Sequence, residues 1–266
     1  MSAGGAGGEA AGGISEGALI GVGVAGGLVG IYAAHFLPPV FAFLGAIGAI
    51  CAIIMGADAV RRVCSYGLGT GVPSIGMLAL GLGVVASMFG LAIAGIAGPI
   101  VALIAAAIIG VVIGVLANKV LGMGIPIMEK AMIEISVAGT LTLIGLSVAM
   151  TGTIAFDAIL SYVVANGYIA VVFIAGGMAI LHPFNSNLGP DEAQDRTLSL
   201  AVLDGAIAMV IAGIVVAGIE MSAAISTIVI GLIISYVAFK KYYAFVNRDA
   251  YKVLGTGLLP TEEELE

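Results

Sequence analysis

Runs of about twenty apolar residues fill most of this chain, and that is the length an α-helix needs to cross a hydrocarbon core of about 30 Å. Cutting at polar clusters and prolines predicts eight such runs, at 17–36, 39–57, 74–97, 99–118, 131–152, 160–181, 197–219 and 221–240. The sixth is the least regular, because Asp157, Tyr162, Asn166 and Tyr168 dilute its start. Charged residues are 9% of the 266, against about 25% in a typical soluble domain. Mean hydropathy is +1.21. So few charges cannot cover a globular surface, and lipid is the solvent for most of the chain. The expected fold is all-α, a polytopic transmembrane helix bundle of about eight spans arranged as four consecutive helical hairpins.

The hairpin reading comes from the connections. Those after spans one, three, five and seven are short, at Leu37-Pro38-Pro39, Ala97-Gly98-Pro99, Gly152 to Asp157, and Glu220. Those after spans two, four and six are longer and polar. Arg61, Arg62, Lys119, Lys130, Arg196, Lys240, Lys241, Arg248 and Lys252 all fall on this second side, while the other carries Asp157 and Glu220. An excess of Lys and Arg marks the cytoplasmic side, which predicts a multi-pass protein of the cell membrane with both termini in the cytoplasm. Residues 1–16, rich in Gly and Ala, read as a flexible cytoplasmic leader, 17–240 as the bundle, and 241–266 as a cytoplasmic tail.

Related loops recur on the basic side. They are Leu68-Gly69-Thr70-Gly71-Val72-Pro73, Leu121-Gly122-Met123-Gly124-Ile125-Pro126, Leu254-Gly255-Thr256-Gly257-Leu258-Leu259-Pro260, and the shorter Asn187-Leu188-Gly189-Pro190. Gly supplies a turn at positive φ, and Pro suits the first turn of the next helix. The recurrence suggests duplication of a parallel hairpin unit. The pairs Gly23 and Gly27, Gly26 and Gly30, and Gly110 and Gly114 permit close helix crossings, within the chain or to partner helices.

The formal charge of −7 and the absence of a basic, aromatic-interleaved patch argue against nucleic acid as a partner. Cys51 and Cys64 form no metal-binding or disulfide pattern, and His35 and His182 are placed near opposite membrane faces, so no metal site is expected beyond transient sodium. His182 reads as opening the loop that follows the sixth span. No nucleophile elbow, P-loop or dinucleotide fingerprint is present, and no catalytic residue is expected.

Ionisable residues inside spans are costly to bury and are the natural functional candidates. Asp204 falls about two turns into the seventh span and Glu134 about one turn into the fifth, and both are ion-pathway candidates. A sodium site would need further oxygens, for which Ser199, Ser136, Thr140 and Thr142 are available. Asp58, Arg61 and Arg62, together with Asp191, Asp195 and Arg196, are candidates for docking a soluble partner. A local pair between Asp58 and the arginines three and four residues on is the simpler alternative.

Two of these polar segments carry a resemblance. One runs from Gly56 to Met77 and contains Asp58-Ala59-Val60-Arg61-Arg62-Val63-Cys64-Ser65-Tyr66-Gly67-Leu68-Gly69-Thr70-Gly71-Val72-Pro73. The other is Leu188-Gly189-Pro190-Asp191-Glu192-Ala193-Gln194-Asp195-Arg196-Thr197-Leu198. With the length and hydropathy, they resemble the C subunit of the tetrahydromethanopterin S-methyltransferase complex of methanogenic archaea. The resemblance implies a membrane component of an enzyme that moves a methyl group from methyl-tetrahydromethanopterin to coenzyme M and couples the transfer to sodium export. It implies a corrinoid held by a partner subunit, in keeping with the lack of an Asp-x-His-x-x-Gly signature here. It also implies other membrane and soluble subunits, besides lipid, as partners. In the family the principal sodium carboxylate is placed on another membrane subunit, so the assignment of Asp204 rests on this sequence alone. The alternatives are a stand-alone secondary transporter, which the parallel repeat disfavours, and a passive membrane scaffold.

Overall fold

The computed structural model describes residues 13–66, 71–185 and 193–250. These are helical with short connections, and none is in a strand. The first rod comprises α1 (Glu16–Gly21), a π turn (Val22–Gly26) and α2 (Gly27–Phe36). Ser15 caps it, its hydroxyl accepting from the Ala18 N–H at 3.3 Å. There follow α3 (Phe43–Cys64), α4 (Gly71–Ala94), α5 (Gly98–Val115), α6 (Met128–Thr151), the short α7 (Phe156–Ile159), α8 (Tyr168–Asn185), α9 (Gln194–Val216) and α10 (Met221–Ala250).

Among the described residues six stretches are long and apolar enough to cross a membrane, and seven if a bent pair is taken as one span. The longest, Pro73–Val120, has 48 residues. As one straight helix it would reach about 70 Å, more than twice a hydrocarbon core. It doubles back instead. Gly95 takes φ +52°, and a Cβ on Gly90 would meet Ala102 N at 2.5 Å on the returning helix. Its two arms, α4 and α5, are the runs expected at 74–97 and 99–118.

The expected straight span at 160–181 is corrected. Phe156–Val164 and Tyr168–Phe184 meet at 89°. Gly167 turns the chain with φ +78°, and the Asn166 carboxamide donates to the Ser161 and Tyr162 carbonyls, both at 3.1 Å, closing the first arm. The polar residues that diluted the run are therefore those that stop one helix and start another. At the other end of the chain, α10 runs unbroken through Lys240 and Lys241 to Ala250, so the boundary drawn at 240 does not interrupt the helix.

The hub is α6. It packs against α2, α3, α4, α5, α8 and α9, and 94% of its apolar window is buried, against 28% for the last span. Contact this close needs missing side chains. Gly45 of α3 and Gly145 of α6 face one another, and a Cβ on either would lie 2.7 or 2.6 Å from the other's carbonyl oxygen. The glycine pairs noted in the sequence serve packing inside the chain: Gly30 lies on Gly48, Gly27 on Leu141, Gly23 on Met55, Gly26 on Cys51, and Gly110 and Gly114 on Ile133 and Glu129.

Of the recurrent loops, the one from Leu121 to Pro126 lies wholly within the described residues. Gly122 and Gly124 both take positive φ, +68° and +65°, as the sequence predicts. Pro126 falls just ahead of α6 instead of inside its first turn. Asn118 clamps the loop, accepting from the Ile125 N–H at 2.8 Å and donating to Glu129 at 3.1 Å.

Candidate functional site

Among the described residues, Glu134 and Asp204 fall in two separate clusters of polar side chains. The first joins the start of α1, the end of α3 and the starts of α6 and α9. Asp58, fully buried, accepts from Arg61 Nη2 at 2.9 Å and Arg62 Nε at 2.8 Å, the local pairing expected at spacings of three and four. The Arg62 guanidinium has donors to spare and also binds Glu16 and Glu134. Lys130 Nζ takes the second Glu16 oxygen at 2.6 Å. Gln194 Nε2 donates to Asp58 at 3.1 Å, and Gln194 also exchanges two hydrogen bonds with the backbone of Ile14. Three carboxylates thus meet three cations, and the cluster is neutral in sum.

This arrangement brings together segments that the hydropathy pattern puts at one end of the bundle. Asp58, Arg61 and Arg62 are spent mainly on binding that end together. Asp195 is more outward, its side chain 48% exposed and 4.0 Å from Arg248 Nη2. Asp191 lies outside the described residues. Arg196 opens α9, its N–H donating to the Asp195 carboxylate at 2.9 Å.

The second cluster is a pair. His182 Nδ1 lies 2.7 Å from Asp204 Oδ2. His182 belongs to α8, which continues through Pro183 to Asn185, so the sequence-based placement in a loop is corrected. The pair borders a groove of about 280 Å³ between α8 and α9, otherwise lined by Ala175, Met178, Ala179, Ile207, Ala208 and Ile211. Sequence reading missed His182 as the partner of Asp204. The hint available was that both are isolated polar groups next to strongly apolar runs.

The two ion-pathway candidates do not come together. Glu134 sits on Arg62, whereas Gly205, next to Asp204, lies against Ile50 and Ile53, more than two turns away along α3 at about 3.6 residues per turn. The hydroxyls named as further oxygens do not gather round Asp204 either. Ser199 donates to the Asp195 carbonyl at 2.6 Å and Thr140 to that of Gly83 at 3.4 Å. Ser136 and Thr142 are buried on α6 and do not line the groove. Asp204 alone offers a single carboxylate to a cation that takes several oxygens, with an imidazole already on one of them.

Residues 1–263 match the model of a family described as the C subunit of tetrahydromethanopterin S-methyltransferase. The chain is 65% identical over 268 residues to the C subunit of that enzyme from Methanosarcina mazei, covering the whole of both. It is 46% identical over 263 residues to that of Methanothermobacter thermautotrophicus, covering 97% of this chain and 98% of the relative. With the protein of Methanocaldococcus jannaschii the identity is 40% over 268 residues, covering 98% and 99%.

Proposed function

We propose a function that proceeds from one premise: the chain belongs to the family of the C subunit of tetrahydromethanopterin S-methyltransferase. It is a multi-pass membrane protein and one component of a methyltransferase complex. The finer reading is that this complex passes a methyl group from methyl-tetrahydromethanopterin to coenzyme M and exports sodium as it does so. The observation that carries the reading is likeness over nearly the full length of relatives so named.

In this reading the methyl chemistry lies elsewhere, on a corrinoid held by a partner subunit. Methylation and demethylation there move cytoplasmic elements, and the membrane sector switches sodium access between its faces. This chain lines or buttresses the path. The end that carries the charge cluster faces the cytoplasm, and Arg61, Asp191, Asp195 and Arg196 belong to the docking surface. Asp204 is the carboxylate we assign to the path, completed by oxygens from a neighbouring subunit. Glu134, held by Arg62, we assign to bracing.

A scaffold is the second reading, favoured by one observation: Glu134 and Asp204 already have partners within the chain. The native complex, purified and reconstituted in liposomes, separates the two. Sodium uptake driven by methyl transfer is measured for the wild type and for Asp204→Asn. Loss of flux with assembly intact supports the path. Unchanged flux at normal coupling leaves the scaffold.

A further inference from the structure

The first rod changes character at its π turn. From Gly23 on it is pressed into the bundle: a Cβ on Gly23 would lie 2.5 Å from the Met55 Cβ, and one on Gly30 2.7 Å from the Gly48 Cα. Before the turn, α1 is laid on the surface. Cβ atoms on Gly17 and Gly21 would meet nothing within 4 Å, and Leu19 is the one buried residue of α1. The junction, Val22–Gly26, contains Gly23 and Gly26 and is flanked by Gly21 and Gly27. A π segment interrupts the regular α ladder, and glycine leaves the backbone the most conformational freedom.

What holds the free end of α1 is polar. Glu16 binds Arg62 and Lys130, and the Ile14 backbone exchanges two hydrogen bonds with Gln194, at 2.8 and 3.0 Å. Glu16 also lies outermost: its side chain is 29% exposed, that of Arg62 17% and that of Glu134 5%. The start of α1 thus lies over the way in to the Arg62–Glu134 pair. Lifting it strands no charge. Glu16 and the exposed Lys130 would both pass to water, where an ion pair of this kind adds little. Asp58 and Glu134 would stay on Arg61 and Arg62, two carboxylates with two guanidinium groups.

We infer that α1 is a strap, hinged at Val22–Gly26 and latched by Glu16, and that its opening admits water to the Arg62–Glu134 pair. The device belongs to this chain's own fold and goes beyond the methyl-transfer reading, so its failure would leave that reading standing.

The test uses the assembled complex in lipid nanodiscs and reads two things: hydrogen exchange resolved by overlapping peptides, and modification of arginines by phenylglyoxal located by mass spectrometry. In the wild type the α1 amides are expected to exchange as a block, several-fold faster than those of α2. Glu16→Gln removes the latch, and Leu19→Ala removes the buried anchor while leaving every charge in place. Each is expected to speed exchange in α1 and to raise Arg62 modification several-fold, with Arg61, held by Asp58, unchanged. Exchange in α1 as slow as in α2, or slowing residue by residue from Ala18 to Gly21 as at a frayed end, would overturn the strap. So would a rise in Arg62 modification with Glu16→Gln and none with Leu19→Ala, since the lost ion pair alone would then explain it. The wild-type exchange needs no substitution, so it can refute the strap even where a variant fails to assemble.

Discussion

Arg62 on α3 and Glu134 on α6 hold one another across 72 residues of sequence, with the Glu134 side chain 5% exposed. Removing the arginine strands Glu134 in the interior, while the fully buried Asp58 keeps Arg61 and Gln194 as partners. Breaking one side of a buried pair costs about 3–5 kcal/mol. Arg62→Met is therefore expected to lower the thermal unfolding temperature of the detergent-solubilised complex. Arg62→Lys is expected to recover only part of the loss, because an ammonium cannot present the planar fork that now meets three carboxylates. The double variant Arg62→Met with Glu134→Met is expected to be more stable than Arg62→Met alone. Equal stability would mean that the stranded Glu134 charge is not the cost.

Glycine-to-alanine exchanges should differ in sign according to what faces them. Gly45 meets the Gly145 carbonyl where a Cβ would sit, at 2.7 Å, and the atom in the way is backbone. Gly45→Ala must push α3 off α6, an overpacking cost of about 1–3 kcal/mol. Gly81 in α4 has open space around its Cβ position. Gly81→Ala should stabilise by about 0.5–1 kcal/mol through the entropy of the unfolded chain and better helix propensity. Melting curves of the two variants, shifted in opposite directions, check both statements.

Much of the architecture was legible because hydropathy and loop charge are written residue by residue. The apolar runs, the fold-back between Ala94 and Gly98, and the shared end for Glu16, Arg62, Lys130 and Gln194 follow from these. The Asp58 pairing was legible too, since three and four residues along one helix are neighbours. What stayed hidden depends on the rotation of one helix against another. Nothing local tells that Glu134 faces α3, or that His182 and Asp204 turn towards each other across an undescribed connection. The bend before α8 was also hidden, because a hydropathy window averages over Gly167 and cannot see its positive φ.

That bend gives a prediction of its own. At φ +78° Gly167 is in the left-handed region, where any other residue pays about 1–2 kcal/mol. Gly167→Ala is expected to loosen the turn between Val164 and Tyr168 and to speed cleavage there by a protease added to the face on which the turn lies. Asn166→Ala, which removes the two bonds to Ser161 and Tyr162, is expected to do the same to a smaller degree, about 1 kcal/mol for bonds near the surface. An unchanged cleavage pattern in Gly167→Ala would show that packing of α7 and not the glycine sets the bend.

The last prediction separates bracing from ion conduction at Glu134, which is buried, and Asp204, which is partly so. Glu134→Gln keeps the shape of the side chain but removes the charge that meets Arg62, leaving Glu16 and Asp58 to hold the guanidinium. Hydrogen bonds to charged groups are worth about 1.5–3 kcal/mol, so stability should fall by that order. If bracing is the whole of its role, the sodium moved per methyl group transferred in liposomes should match the wild type once the assembled fraction is taken into account. Asp204→Asn should behave in the opposite way. The amide can still hydrogen-bond to His182, so assembly and melting temperature should change little, but a cation loses its one negative ligand and the sodium-to-methyl ratio should drop. A drop in that ratio for Glu134→Gln would move the path to the charge cluster, with Arg62 as the group that guards it.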